Sequence, residues 1–80
     1  ILMRGHGAVV AGPSMRRLVY VALALHREAG LLMAARLLGD VRYLSPGENG
    51  KMSRLLAPGA PTAPLERAWQ YWCIRAGVPY

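Results

Sequence analysis

The apolar residues of this chain fall first in short runs and then at helical spacing. Residues 1–4 and 8–11 are apolar stretches separated by Gly5-His6-Gly7 and closed by the turn Gly12-Pro13-Ser14. Val9 and Val10 favour extended backbone. The pattern predicts a strand, or two half-strands broken at the Gly-His-Gly step. Glycine inside a strand pattern marks a bulge or a close approach of the backbone to another group.

Past Ser14 the period changes. Leu18, Ala22, Leu25, Ala29, Leu32 and Met33 recur three or four positions apart. They predict a long helix, capped by Ser14, running to about Leu38 and ended by Gly39 in the left-handed conformation. Val19, Val21, Leu23, Leu31 and Leu37 widen the apolar stripe. A helix apolar over so much of its circumference is expected to be buried on more than one side.

The second half of the chain is more polar. Val41 to Leu44 reads as a linker or edge strand. Ser45-Pro46-Gly47-Glu48 carries a capping-box pattern, with Ser45 as cap, Pro46 at the first helical position and Glu48 reaching back. A helix over 46–56 follows, weakened by Gly47, Asn49 and Gly50. The proline-rich, uncharged segment 57–64 predicts a crossing loop. A last helix over 64–76 places Leu65, Trp69, Trp72 and Ala76 on one face and ends at Gly77 and Pro79.

Composition sharpens this outline. Eighty residues allow one small domain, and 54% of them are hydrophobic. A chain this short gains little net stability from its own core. Cys73 is the single cysteine, so no disulfide forms within the chain. The expectation is a piece of a longer protein that works as an oligomer. The net charge of +6 is spread from Arg4 to Arg75, with Arg16 and Arg17 the only adjacent basic pair. No aromatic residues alternate with a basic cluster, which argues against a nucleic-acid partner. Residues 18–38 are long enough to span a bilayer. However, His26-Arg27-Glu28 falls in the middle of that stretch, where charge is costly. The expectation is therefore a buried helix in a soluble, cytoplasmic protein, with no membrane contact.

Few residues carry chemistry: His6, His26, Cys73 and the acids Glu28, Asp40, Glu48 and Glu66. No pair has metal-ligand spacing, and no nucleophile–base order or phosphate-cradling glycine motif can be read. His26 reads as a helix residue facing water or a partner. Cys73 reads as a small core or interface residue, and Trp69 with Trp72 as a packing pair. The bulk-free glycines around His6 leave room for another group. On spacing alone, a ligand and a satisfied buried imidazole are equal readings of His6.

The stretch ILMRGHGAVVAGPSMRRLVYVALALHREAGLLMAARLLG resembles the C-terminal half of the class II aldolase/adducin family. Members carry an apolar strand, a His-Gly step, a turn and a long helix ending at glycine. YLSPGENGKM and RAWQYWCIRAG resemble the tail of longer members. The resemblance implies an α+β fold: the C-terminal fragment, residues 1–80, of a three-layer α/β/α domain with a mostly antiparallel central sheet. It also implies a metal-dependent lyase, aldolase or decarboxylase, that cleaves a carbon–carbon bond by Lewis-acid stabilisation of an enolate-like intermediate. By carry-over, His6 is the third ligand of a divalent metal, zinc by default and manganese or iron otherwise. The upstream His-x-His pair and acid of the family have no counterpart in these 80 residues, and no catalytic residue is assigned. Tyr80, in a tail that reaches an adjacent subunit in the family, is the candidate substrate-binding residue. The implied partners are a small hydroxy or keto acid or sugar phosphate, and further copies in a homotetramer. The other branch of the family implies a non-enzymatic adducin-type binding or scaffold module without metal.

Overall fold

The computed structural model describes residues 1–55, 57 and 59–80. Its elements are β1 (Leu2–Met3), β2 (Gly7–Ala8), α1 (Met15–Leu38), α2 (Pro46–Leu55) and α3 (Ala63–Ala76). Leu56, the expected last residue of the second helix, and Pro58 of the expected crossing loop lie outside the described residues.

β1 and β2 form an antiparallel hairpin, with Leu2 opposite Ala8 and Met3 opposite Gly7. The broken form of the expected strand is the one that forms. Val9 N–H donates to the Ile1 carbonyl at 2.8 Å, and the Ile1 amino group donates to the Val9 carbonyl at 2.9 Å. Gly5 and Gly7 have φ of 74° and 104°. A Cβ on either would meet nothing within 4 Å. These glycines therefore serve the turn's positive φ, which side chains resist, rather than a close neighbour within this chain.

Ser14 caps α1 as expected: the Arg17 N–H donates to its hydroxyl oxygen at 3.2 Å. Gly39 closes the helix at φ 155° and ψ −160°. That lies outside the left-handed helical region expected for it. α2 starts with the reciprocal capping box, Ser45 N–H to Glu48 Oε1 at 3.1 Å and Glu48 N–H to Ser45 Oγ at 3.2 Å. α3 ends in a Schellman arrangement. Gly77, at φ 70° and ψ 31°, donates to the Ile74 carbonyl at 3.2 Å, and Val78 donates to that of Cys73 at 3.0 Å.

The expected three-layer domain with a central sheet is absent. Three helices and one two-stranded hairpin make up the described secondary structure. The hairpin strands are two residues each, too short to support layers of helices on both faces. α3 packs across the first half of α1, and the segment after the hairpin lies along another side of the same half. The expected burial of α1 on several sides is also overturned, since none of its residues is buried. Positions 16–22 and Ala24 are half-covered, while every residue from 25 to 38 is exposed. α1 is long and apolar enough to cross a membrane by length and composition. The one buried residue among those described is Cys73, 4% exposed, in α3.

Candidate functional site

Two places concentrate chemistry-bearing side chains: the hairpin tip and the α1–α3 contact. At the tip, the turn Arg4-Gly5-His6 is closed by the His6 N–H donating to the Met3 carbonyl at 3.1 Å. The positive φ of the flanking glycines lifts His6 out of both strands, and its side chain is exposed. A backbone that fixes an imidazole in the open suits coordination or hydrogen bonding to an incoming group.

The α1–α3 contact is built on successive turns of the two helices. Arg16 forms an ion pair with Glu66 and also places its guanidinium 5.7 Å from the centre of the Trp69 ring. One turn on, Tyr20 and Trp72 stand 6.0 Å apart, centroid to centroid, tilted by 51°. Beside this contact lies an open groove of about 330 Å³ lined by Tyr20, Leu23, Ala24, Arg27, Pro64, Ala68 and Trp72. Arg27 leans back to Glu28 at 3.4 Å. The groove thus offers two aromatic rings and one cation already engaged by a neighbouring carboxylate. A second groove, between the hairpin segment and α1, is lined only by apolar residues: Ile1, Val9, Val10, Ala11, Val21 and Leu25.

The structure does not bring the sequence-predicted candidates together. His6 is at the hairpin tip, His26 is exposed in the middle of α1, Cys73 is buried in α3, and Tyr80 is exposed at the C-terminus. Neither His6 nor Tyr80 lines either groove. Among the described residues, no three of His, Cys, Asp and Glu are placed to hold a metal ion. A zinc centre takes three or four protein ligands, so these residues do not fit a complete site. Glu48 has its carboxyl held below the usual range, first by the Ser45 N–H and then by the Ser45 hydroxyl. That effect caps a helix and activates nothing.

The aromatic–cation pairing of Arg16 with Trp69 and the Tyr20–Trp72 contact were not foreseen from the sequence. The signal was present only as complementary periodicity: Arg16 and Tyr20 are four apart on one helix, and Glu66, Trp69 and Trp72 are three apart on the other. No family model matches the chain, and no curated protein or solved structure matches it.

Proposed function

We propose that this chain functions by binding another macromolecule, as a module of the adducin type rather than as a self-contained catalyst. The observation that carries this reading is the bare second half of α1, where every residue from 25 to 38 is exposed and Leu37 and Leu38 reach 90%. A contiguous apolar surface of that kind marks an interaction site. Hydrogen exchange tests it. In the isolated chain, the amides of 28–38 exchange quickly. In the assembly purified from its source, the same amides exchange at least about tenfold more slowly, a protection worth about 1.4 kcal/mol. Equal exchange in the two states would overturn the reading.

The metal-dependent lyase, aldolase or decarboxylase, is the second reading. Its support is the exposed imidazole of His6, held between two glycines of positive φ. There, His6 would be one ligand of Zn²⁺, or of Mn²⁺ or Fe²⁺. At least two more ligands would have to come from outside the 80 residues, within a homotetramer or another chain. Tyr80 would reach toward a hydroxy or keto acid or a sugar phosphate in a neighbouring subunit. Titration calorimetry with Zn²⁺ separates the readings. In the assembly purified from its source, the binding module predicts the same weak heats with and without His6→Ala, whereas a tight site lost in His6→Ala supports the lyase. A cytoplasmic location accompanies both readings. Arg27 and Glu28 at mid-helix, which are costly in a bilayer, weigh against α1 crossing a membrane.

A further inference from the structure

The chain carries more surface than a protein of its mass leaves open. A compact monomer of 8.7 kDa exposes about 4,700 Å², whereas this chain exposes 7134 Å². Its radius of gyration is 14.9 Å, against about 12 Å for a compact chain of this length. The excess of roughly 2,400 Å² is larger than the ~800 Å² that one partner contributes to a standard interface. Much of the apolar part lies on α1 beyond the reach of α3.

The row that α3 covers continues into that bare half. Tyr20, Ala24 and Arg27 line the α1–α3 groove, and Leu31, Ala34 and Leu38 follow at helical spacing with nothing over them. Leu31 is 57% exposed and Leu38 90%. A surface continuous with a helix–helix contact, carrying Leu31 and Leu38 seven residues apart and small residues at Gly30 and Ala34, fits a second helix as it fits α3.

Charge selects the occupant. Two of the ten basic residues, Arg16 and Arg27, are in ion pairs, and their partners Glu66 and Glu28 are half of the chain's acids. Arg36 in the last turn of α1 and Arg42 just beyond the helix end form no ion pair among the described residues, and Asp40, in the same open groove as Arg36, is the one acid between them. A second copy would bring another +6 to the contact, which opposes self-association. An anionic lipid surface takes a helix with one polar and one apolar face, but α1 is apolar around most of its circumference.

We infer that the second half of α1, through Leu31, Ala34 and Leu38 with Arg36 and Arg42 at the rim, docks an acidic amphipathic helix of a protein partner. This rests on the binding reading above and names its surface and partner chemistry. Carboxylates on the partner would meet the two guanidinium groups in the planar, two-bond geometry that arginine favours, while its apolar stripe covers the leucines.

The test uses the full chain and a labelled peptide of about 20 residues, long enough to form a helix. Leucines sit at i, i+3, i+4 and i+7, with glutamates beside them. Fluorescence anisotropy is expected to show saturable binding that weakens as salt rises. Leu31→Gln with Leu38→Gln should weaken it at least tenfold, and Arg36→Glu severalfold. Both variants alter exposed positions, and unchanged helical circular dichroism confirms their fold. A lysine-flanked peptide should not bind. Failure of the glutamate peptide to bind, or equal binding of the lysine peptide, overturns the inference. Reversible dimerisation lost in L31Q/L38Q also overturns it, in favour of a second copy, and leaves the binding reading standing. Equal loss of binding to phosphatidylserine vesicles assigns the surface to lipid instead. A chain that stays monomeric and binds neither peptide nor vesicle overturns both the inference and the binding reading.

Discussion

The rings of Tyr20 and Trp72 meet at a tilt across the α1–α3 contact, 6.0 Å between centroids and inclined at 51°. Such tilted pairs gain about 0.5–1.5 kcal/mol beyond the area they bury. A double-mutant cycle with Tyr20→Leu and Trp72→Leu should return a coupling energy in that range by urea denaturation. Trp72 is half-buried, so Trp72→Ala should cost roughly 2 kcal/mol, below the 3–5 kcal/mol of a fully buried indole. A coupling energy near zero would mean that the rings are neighbours without interacting.

Arg16 serves two partners, the Glu66 carboxylate and the Trp69 ring. Its side chain and that of Glu66 are 43% and 38% exposed, so solvent and salt screen the ion pair. Glu66→Gln should cost at most about 0.5 kcal/mol, and less again in 1 M salt. Arg16→Met keeps the aliphatic stem but removes both charge interactions, and it should cost more than Glu66→Gln. If the two variants are equal, the guanidinium–indole contact contributes nothing.

The local signals were legible in the sequence, and the long-range ones were not. Ser14, the Ser45–Glu48 box and Gly77 act as the chain text suggests, because caps depend on residues within four positions of one another. The hairpin was legible as one of two options, since a Gly-His-Gly step can bend or merely interrupt a strand. The family resemblance rested on the same local string and carried an expectation of a large sheet. Among the described residues four are in strands, Leu2, Met3, Gly7 and Ala8. Sheet size depends on partners far away in sequence or outside the chain, and no local pattern encodes them. The same reason explains why α1 is bare where burial was expected. Its apolar circumference says that coverage is needed, not that these 80 residues provide it. The candidate site was legible only as separate residues. Nothing at Tyr80 signals a relation to His6, and in the structure neither lines a shared groove.

The α2 start gives a pH dependence. The Ser45 N–H and hydroxyl lower the Glu48 carboxyl from its ordinary value. A lowered folded-state value means that the carboxylate form is favoured by folding. Its contribution is present above the unfolded glutamate range and is lost as pH falls through the folded value. Helical circular dichroism should therefore decline as pH drops from about 5 toward 3, where glutamates protonate. Glu48→Gln should remove that part of the decline. Ser45→Ala should remove it too and lower helicity at neutral pH, at a cost of about 1 kcal/mol for a lost N-cap. Unchanged acid titration in Glu48→Gln would place the decline elsewhere.

Gly5 and Gly7 are required for φ, not for space. A Cβ at either meets no atom within 4 Å, yet their φ of 74° and 104° disfavour any L-residue. Gly5→Ala should weaken the hairpin by about 1–2 kcal/mol. D-alanine at the same position, introduced by chemical ligation, should restore it, because its mirror geometry prefers positive φ. His6→Ala, which changes an exposed side chain and leaves the Met3–His6 backbone bond in place, should leave the hairpin intact. NMR contacts between Leu2 and Ala8 report all three variants. If D-alanine disrupts the hairpin as much as L-alanine does, crowding rather than backbone strain is the reason for glycine.

Cys73, on α3, is the one buried residue among those described, so its thiol reports whether the packing of α3 stays closed. A thiol at 4% exposure reacts with an aqueous disulfide reagent only when α3 lifts away or the chain unfolds. The labelling rate then follows the population of the open form. In the intact chain, labelling should be much slower than in urea. Trp72→Ala removes roughly 2 kcal/mol from the contact that shields the thiol, which corresponds to a rise in rate of about 30-fold at 25 °C. Leu31→Gln with Leu38→Gln, on the bare half of α1, should leave the rate unchanged. The pattern across the three proteins is decisive because the two regions share one helix but not one contact. If labelling accelerates equally in both variants, α1 opens as a single unit and its bare half supports the packing of α3. If neither variant changes the rate, Cys73 is reached by a motion that leaves Trp72 in place, and the α1–α3 contact does not hold the molecule closed.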